Sequence, residues 1–216
     1  MQPPFALLFL ENEDSFSYLL ADAFARLGVQ VDFLSTYSHD AQLSNNPYAG
    51  VVVGPGPGTP HTSPHLMALL ADVIQKEVPI LGVCLGMQAI GVHFGATLKE
   101  ALAPVHGKVR QLLPTKGSLL YPNGPEDVVR YHSLVLDNLP VSLQAEALSP
   151  DGELMALSHT TLPIWGVQYH PEAICTEKGL AFLHRWLQFA KIGHSELPLG
   201  HKQEHLPKLQ APILAL

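Results

Sequence analysis

Charge is scarce in this chain of 216 residues: Asp, Glu, Lys and Arg together make up 14% of it, with 19 acidic residues against 12 basic ones. A net charge of −7 and the lack of any Lys/Arg-rich run argue against nucleic acid as a partner. Cysteine is nearly absent. Cys84 and Cys175 are too few for a disulfide framework, so a reducing, cytoplasmic setting is the expectation. No apolar stretch reaches the roughly eighteen residues of a membrane span. The short apolar run from Phe5 to Leu10 lacks the basic leading region and small-residue cleavage site of a secretory signal. The phosphate-loop pattern Gly-x-x-x-x-Gly-Lys-Ser/Thr is missing too, as is any solenoid-like repeat.

Apolar residues, at 47%, are plentiful enough for a full core. Ala6 to Leu10 is a continuous apolar run of the kind buried on both faces of a sheet. Phe16, Leu19, Leu20, Ala23, Phe24 and Leu27 then recur at helical spacing, with Asp14 or Ser15 available as a cap and Gly28 as the stop. The alternation continues: strands at Val29 to Leu34, Gly50 to Val53 and Val78 to Val83, helices at Pro64 to Gln75 and from Gln88 to His93. Strands alternating with single helices predict an α/β fold with a mostly parallel sheet flanked by helices. Beyond residue 96 short β segments follow, punctuated by Pro114, Lys116-Gly117, Asn123-Gly124 and Asp151-Gly152, and Leu143 to Leu148 with Leu154 to Leu157 reads as a hairpin. A small antiparallel extension of the same sheet is expected. Ile164 to Tyr169 returns to a buried-strand pattern, and Glu177 to Ala190 reads as a closing helix with Leu180, Leu183, Trp186 and Leu187 inward. Residues 1–192 are thus expected to form one domain and residues 193–216 a tail of unassigned role.

The chemistry concentrates in three places. In Gly82-Val83-Cys84-Leu85-Gly86 a buried strand meets a helix-like stretch, with glycine two residues either side of a cysteine. An arbitrary buried cysteine is usually inert packing. A core strand, however, has no need of both glycines, whereas a sharp nucleophile elbow does. A helix starting behind the sulfur would favour its thiolate. His170-Pro171-Glu172 follows the last buried strand, at the sheet edge where the carboxyl ends of parallel strands collect ligands. A lone His-Pro-Glu is ordinarily a surface turn. If the two strands are parallel neighbours, Cys84 and His170 meet and Glu172 fixes the imidazole tautomer. Gly54-Pro55-Gly56-Pro57-Gly58-Thr59-Pro60 is a rigid loop that lets backbone approach a ligand, and its remaining N–H groups could serve an oxyanion.

These segments occur in a familiar order. Gly54 to Pro60, Gly82-Val-Cys-Leu-Gly-Met-Gln88, His106-Gly-Lys108, Arg130-Tyr-His-Ser-Leu134 and Gly166-Val-Gln-Tyr-His-Pro-Glu172 together resemble the class I glutamine amidotransferases. The opening Glu11-Asn-Glu-Asp-Ser-Phe-Ser17 resembles the small subunits of anthranilate synthase and aminodeoxychorismate synthase. The resemblance covers about residues 5 to 190. It implies Cys84 as nucleophile on the amide of L-glutamine, His170 as base and Glu172 as its orienter. It also implies an oxyanion hole from the N–H groups of Gly56 and Leu85, and Pro57, beside Gly56, among the substrate-binding residues. Gln88, Gly58 and the Ser133-Leu134 backbone would hold the amino-acid end of the substrate. Ammonia would pass to a chorismate-using synthase subunit; no cofactor is implied in this chain, and magnesium is implied in that partner.

The chain departs from the subgroup at three positions: Met87 where His is usual, Ala173 where Ser is usual, and Glu11 for Asp. Two alternatives remain on the residues alone. One is a glutaminase serving another acceptor, such as guanylate synthesis; the other is a binding protein that kept the fold without the chemistry. Cys175 lacks its own histidine or elbow and reads as packing. His61/His65 and His201/His205 have i,i+4 spacing but no completing ligands, so no metal site is expected.

Overall fold

The computed structural model describes residues 6–38, 43, 48–118 and 120–193. The first apolar run becomes β1 (Ala6–Glu11), followed by α1 (Ser17–Arg26) and β2 (Gln30–Ser35). Next come β3 (Gly50–Val53), α2 (Pro64–Gln75), β4 (Ile80–Val83) and α3 (Leu85–Phe94). The antiparallel part comprises β5 (Thr97–Pro114), β6 (Glu126–Asp137), β7 (Leu143–Leu148) and β8 (Leu154–His159). β9 (Ile164–Val167) and α4 (Gly179–Phe189) complete the described elements.

All nine strands form one sheet in the order β2-β1-β3-β4-β9-β8-β7-β5-β6. Pairing is parallel from β2 through β9 and antiparallel from β9 to β6. The antiparallel strands continue the parallel sheet as expected, and they make up nearly half of it. Alternation along β1 sorts the core by face. Leu7 and Phe9 join Leu20 and Phe24 of α1 and Leu183 and Trp186 of α4. Leu8 and Leu10 join Leu66 and Leu70 of α2 and Ile90 of α3 on the other side. Helices thus cover both faces, which is why β3 and β4 are apolar without alternation.

Several expectations change in detail. Neither Asp14 nor Ser15 caps α1: the capping position is Phe16, without a side-chain bond. The Asp14 carboxylate instead accepts from the Phe16 N–H at 2.7 Å, closing a turn before the helix. Leu19 lies outside the buried stripe and is 52% exposed, and Leu180 is only half-buried. α3 starts three residues earlier than its periodicity shows, because its first turn is part of the Cys84 elbow. β5 is longer than the short segments expected, and it is broken by register shifts at 100–105 and 106–108, where Pro104 lacks an N–H and Gly107 has φ +65°. No helix among the described residues is long and apolar enough to cross a membrane. Of the tail at 193–216, residues 194–216, with His201 and His205, lie outside the described residues.

Candidate active site

Cys84 sits between β4 and α3 at φ +53° and ψ −104°, a backbone conformation that costs an L-residue strain energy. The neighbourhood holds it there. Its N–H donates to the Val167 carbonyl at 2.8 Å, and its carbonyl accepts from the Gln88 N–H at 3.1 Å. The flanking glycines are demanded by contact. A Cβ on Gly82 would lie 2.5 Å from the Gly86 carbonyl carbon, and one on Gly86 would overlap the Val53 carbonyl. The elbow therefore presses the α3 backbone onto β3 and β4. Leu85 opens α3, so its N–H belongs to the first turn, where helical donors lack intrahelical partners.

β9 pairs with β4 in parallel, with Gly82 opposite Gly166 and Val83 opposite Val167. The strand neighbours required of Cys84 and His170 are therefore present. Past β9 the chain is taken over by β6: the His170 N–H donates to the Val129 carbonyl at 3.0 Å. Thr176 secures this segment, its hydroxyl donating to the His170 carbonyl at 2.6 Å and accepting from the Val129 N–H at 3.1 Å. The His170 Nδ1 meets the Glu172 Oε1 at 2.6 Å, with both side chains buried. Burial alone lowers the His170 pKa, but interaction with the Cys84 sulfur and the hydrogen bond and charge of Glu172 raise it to about 10. Nε2 has no hydrogen-bond partner among the described residues, so the Glu172 bond is the raising contact whose geometry is complete. Phe16 and Tyr131 roof the imidazole, with ring centroids 4.9 and 5.3 Å from it.

In front of Cys84 opens a cleft of about 180 Å³. Gly56, Gly58, Leu85, Gln88, Ser133 and Leu134, all expected at the site, line it. Pro57 does not line it; it is exposed on the loop between two glycines that do. Asn12 anchors this loop by donating to the Gly54 carbonyl at 3.0 Å, while the Thr36 hydroxyl donates to Asn12 Oδ1 at 2.7 Å. Glu11 closes the opening loop, its carboxylate accepting from the Asp14 N–H at 3.0 Å. Gln88 Nε2 donates both to the Leu134 carbonyl and to Gln168 Oε1, each at 3.1 Å. Its two hydrogens are thereby engaged, leaving Oε1 as an acceptor for a ligand ammonium group.

Phe16, Gln168, His132, Arg130 and Thr176 also stand at the site, beyond the residues expected there from the sequence. All but Thr176 lie within the sequence motifs described above. The period of two along an extended chain puts residue 168 on the same side as residue 170, a signal that was available. Cys175 is not packing. The turn through the Thr176 N–H and the Ala173 carbonyl, 2.8 Å apart, carries Thr176 inward and leaves Cys175 exposed. It lies on an apolar cleft of about 270 Å³ with Phe16, Leu19, Tyr131, Ala173 and Ile174, beside Glu172. Met87 is fully buried against Gly166, on the sheet side of α3 and away from the Cys84 cleft. Among the described residues no group of three or more His, Cys, Asp or Glu side chains converges to hold a metal.

An α/β sheet with a cysteine on a strained strand-to-helix turn, facing a buried His–Glu pair, defines the class of thiol enzymes with a nucleophile elbow. Within it, the family model for class-I glutamine amidotransferases matches residues 8–189, and the chain belongs to that family. It is 38% identical over 187 residues to the anthranilate synthase component 2 of Mycobacterium tuberculosis, covering 84% of this chain and 81% of that one. It is likewise 38% identical over 189 residues to the aminodeoxychorismate synthase component 2 of Klebsiella aerogenes, covering 84% and 98%. The crystal structure of a glutamine amidotransferase from Thermotoga maritima superposes with a TM-score of 0.67 at 21% identity, over 86% of this chain and 82% of that one. That likeness concerns the fold.

Proposed function

We propose that this chain is the glutaminase subunit of a chorismate-using synthase, releasing ammonia from L-glutamine through Cys84, His170 and Glu172. The observation that carries the reading is the parallel pairing of β4 with β9, which sets the Cys84 elbow beside the buried His170–Glu172 pair. The Cys84 sulfur attacks the side-chain amide carbon of glutamine, forming a C–S bond and a tetrahedral oxyanion. Donors at Leu85 and Gly56 receive that oxyanion. The C–N bond then breaks as His170 hands its proton to the departing nitrogen, leaving a glutamyl thioester and ammonia. Water, deprotonated by His170, cleaves the thioester to glutamate and restores the thiol. Throughout, Glu172 holds the Nδ1 proton and so fixes the tautomer.

Gln88 Oε1 and the Ser133-Leu134 backbone take the ammonium and carboxylate end of the substrate, with Gly58 alongside. Ammonia passes to the synthase partner, to which any magnesium requirement belongs. The exposed apolar residues Leu19, Val109, Tyr131 and Ile174, next to Glu172, form the face on which that partner docks. Docking there would bear directly on the His170 roof, so glutamine hydrolysis by the isolated chain is expected to be slow and to rise with the partner. Full-rate hydrolysis by the chain alone would contradict this.

The two component 2 relatives share the same identity with this chain, so the acceptor is decided by experiment. The chain is mixed separately with an anthranilate-type and an aminodeoxychorismate-type synthase subunit, with chorismate, magnesium and glutamine, and product is identified by mass. Product with one partner assigns the acceptor reaction; product with both makes the glutaminase shared. Product from ammonia but never from glutamine would overturn the proposal.

A further inference from the structure

Behind the cleft runs a buried chain of hydrogen bonds whose polarity toward Cys84 is set at the Leu134 carbonyl. Arg130 donates from Nη2 to Glu153 Oε2 at 2.5 Å and from Nε to His132 Nε2 at 2.9 Å. Arginine has no acceptor, so His132 Nε2 must be the bare nitrogen and Nδ1 must carry the hydrogen. Nδ1 accordingly donates to the Leu134 carbonyl at 3.2 Å. That carbonyl can only accept, so Gln88 must offer it Nε2, at 3.1 Å. Gln88 Nε2 also reaches Gln168 at 3.1 Å, so Gln168 must present its oxygen there. The other end of the Gln168 amide is then Nε2, and it points at the Cys84 sulfur at 3.6 Å.

An amide could flip in isolation. Here each flip would set two donors or two acceptors against each other inside the protein. Gln168, Gln88, His132 and Arg130 are all nearly fully buried, which makes such a mismatch costly. We propose that Gln168 is a further catalytic residue of this site, its amide N–H fixed toward Cys84 so as to hold the sulfur as thiolate, and that Gln88, itself oriented by the Leu134 carbonyl, is the positioning residue that fixes it. The inference rests on Cys84 being the nucleophile.

An N–H donor stabilises a thiolate far more than a thiol, because sulfur accepts strongly only when charged. Other titratable groups face the same surroundings: His170 with Glu172 from beyond β9, Tyr131 and His132 from β6, and His106 from β5. The first turn of α3 and the 54–60 loop add none besides Cys84. Of these, His132 is held neutral: burial and the Arg130 charge, opposed by Glu153, lower its pKa to about 4.

The test is the alkylation rate of Cys84 by iodoacetamide against pH, followed on the Cys84 peptide by mass because Cys175 is exposed and reacts as well. Gln168→Met preserves volume without a donor, and Gln168→Glu replaces the donor by a like charge. Both are expected to slow alkylation at pH 7 by about tenfold or more. The Gln168→Met protein should approach the native rate as pH rises past the ordinary thiol range of about 8.5. Native rates at pH 7 in a folded Gln168→Met protein would overturn the proposal. On the unaltered chain, the Gln168 side-chain amide resonances are expected to move when Cys84 is alkylated. Unmoved resonances would likewise overturn it, even where a variant fails to fold. No glutamine enters either experiment, so loss of the glutaminase reading would leave the result standing.

Discussion

At His170, burial and polar neighbours pull in opposite directions, and the hydrogen bonding and charge of the neighbours prevail. The imidazole is 2% exposed, which favours the neutral form, yet the Cys84 sulfur and the Glu172 carboxylate raise its pKa to about 10. The proton on His170 is therefore the one available to the leaving nitrogen. Substituting Glu172→Gln keeps the shape but removes the charge and the tautomer control. Glutamine turnover in the complex is expected to fall by about a thousandfold or more, mostly in kcat, as when a triad carboxylate is neutralised. Unchanged kcat would remove Glu172 from the mechanism. Cys84, His170 and Glu172 were legible in the sequence because each sits in a short segment of unusual composition at a strand end. Gln168 showed only its period-two relation to His170, since its contacts join residues far apart in the chain. Gln88 and Gln168, for example, are eighty positions apart.

The elbow shows what the element scale adds. The Gly-x-Cys-x-Gly spacing predicts a sharp turn, and the structure supplies the reason: a side chain at Gly86 would enter the Val53 carbonyl of the neighbouring strand. Gly86→Ala is therefore expected to destabilise the fold by about 3 kcal/mol or more, read from denaturant unfolding. Gly95 is the contrast. It ends α3 at φ +102° with open space around its missing Cβ, so Gly95→Ala should cost only about 1 kcal/mol of backbone strain. Equal costs at the two sites would contradict the packing argument. Element types followed from periodicity almost throughout, because long apolar runs and helical spacing survive any tertiary context. Boundaries did not. The α1 start was set by Asp14 bonding the Phe16 N–H, and the α3 start by the Cys84 turn, and neither constraint has a period. Cys175 was misplaced because its burial depends on which way one four-residue turn faces.

For the whole molecule, the two site histidines shape stability against pH from opposite sides. His170 has a folded pKa raised from 6.5 to about 10, so its contribution is complete below pH 6.5 and is lost as pH rises through 10. His132 has a folded pKa lowered to about 4, so the unfolded chain takes up its proton first and stability is lost as pH falls from 6.5 toward 4. Unfolding free energy should fall between pH 7 and 10, and Glu172→Gln should flatten that alkaline limb while leaving the acid limb in place. Parallel profiles for the two proteins would contradict the assignment. The sheet order itself, with β9 inserted between β4 and β8, was legible only as a conditional statement. Strand adjacency across 80 residues of chain depends on which apolar faces find each other, not on any local signal.

The most direct test compares native chain and Cys84→Ser in complex with its synthase, measuring aminated chorismate product from glutamine and, in parallel, from ammonium salt. Glutamine-dependent product should vanish while ammonia-dependent product continues at the native rate, because the nucleophile is lost and the synthase is untouched. Glutamine-dependent product that persists in the Cys84→Ser complex would contradict the catalytic role of Cys84, and with it the site built around that residue.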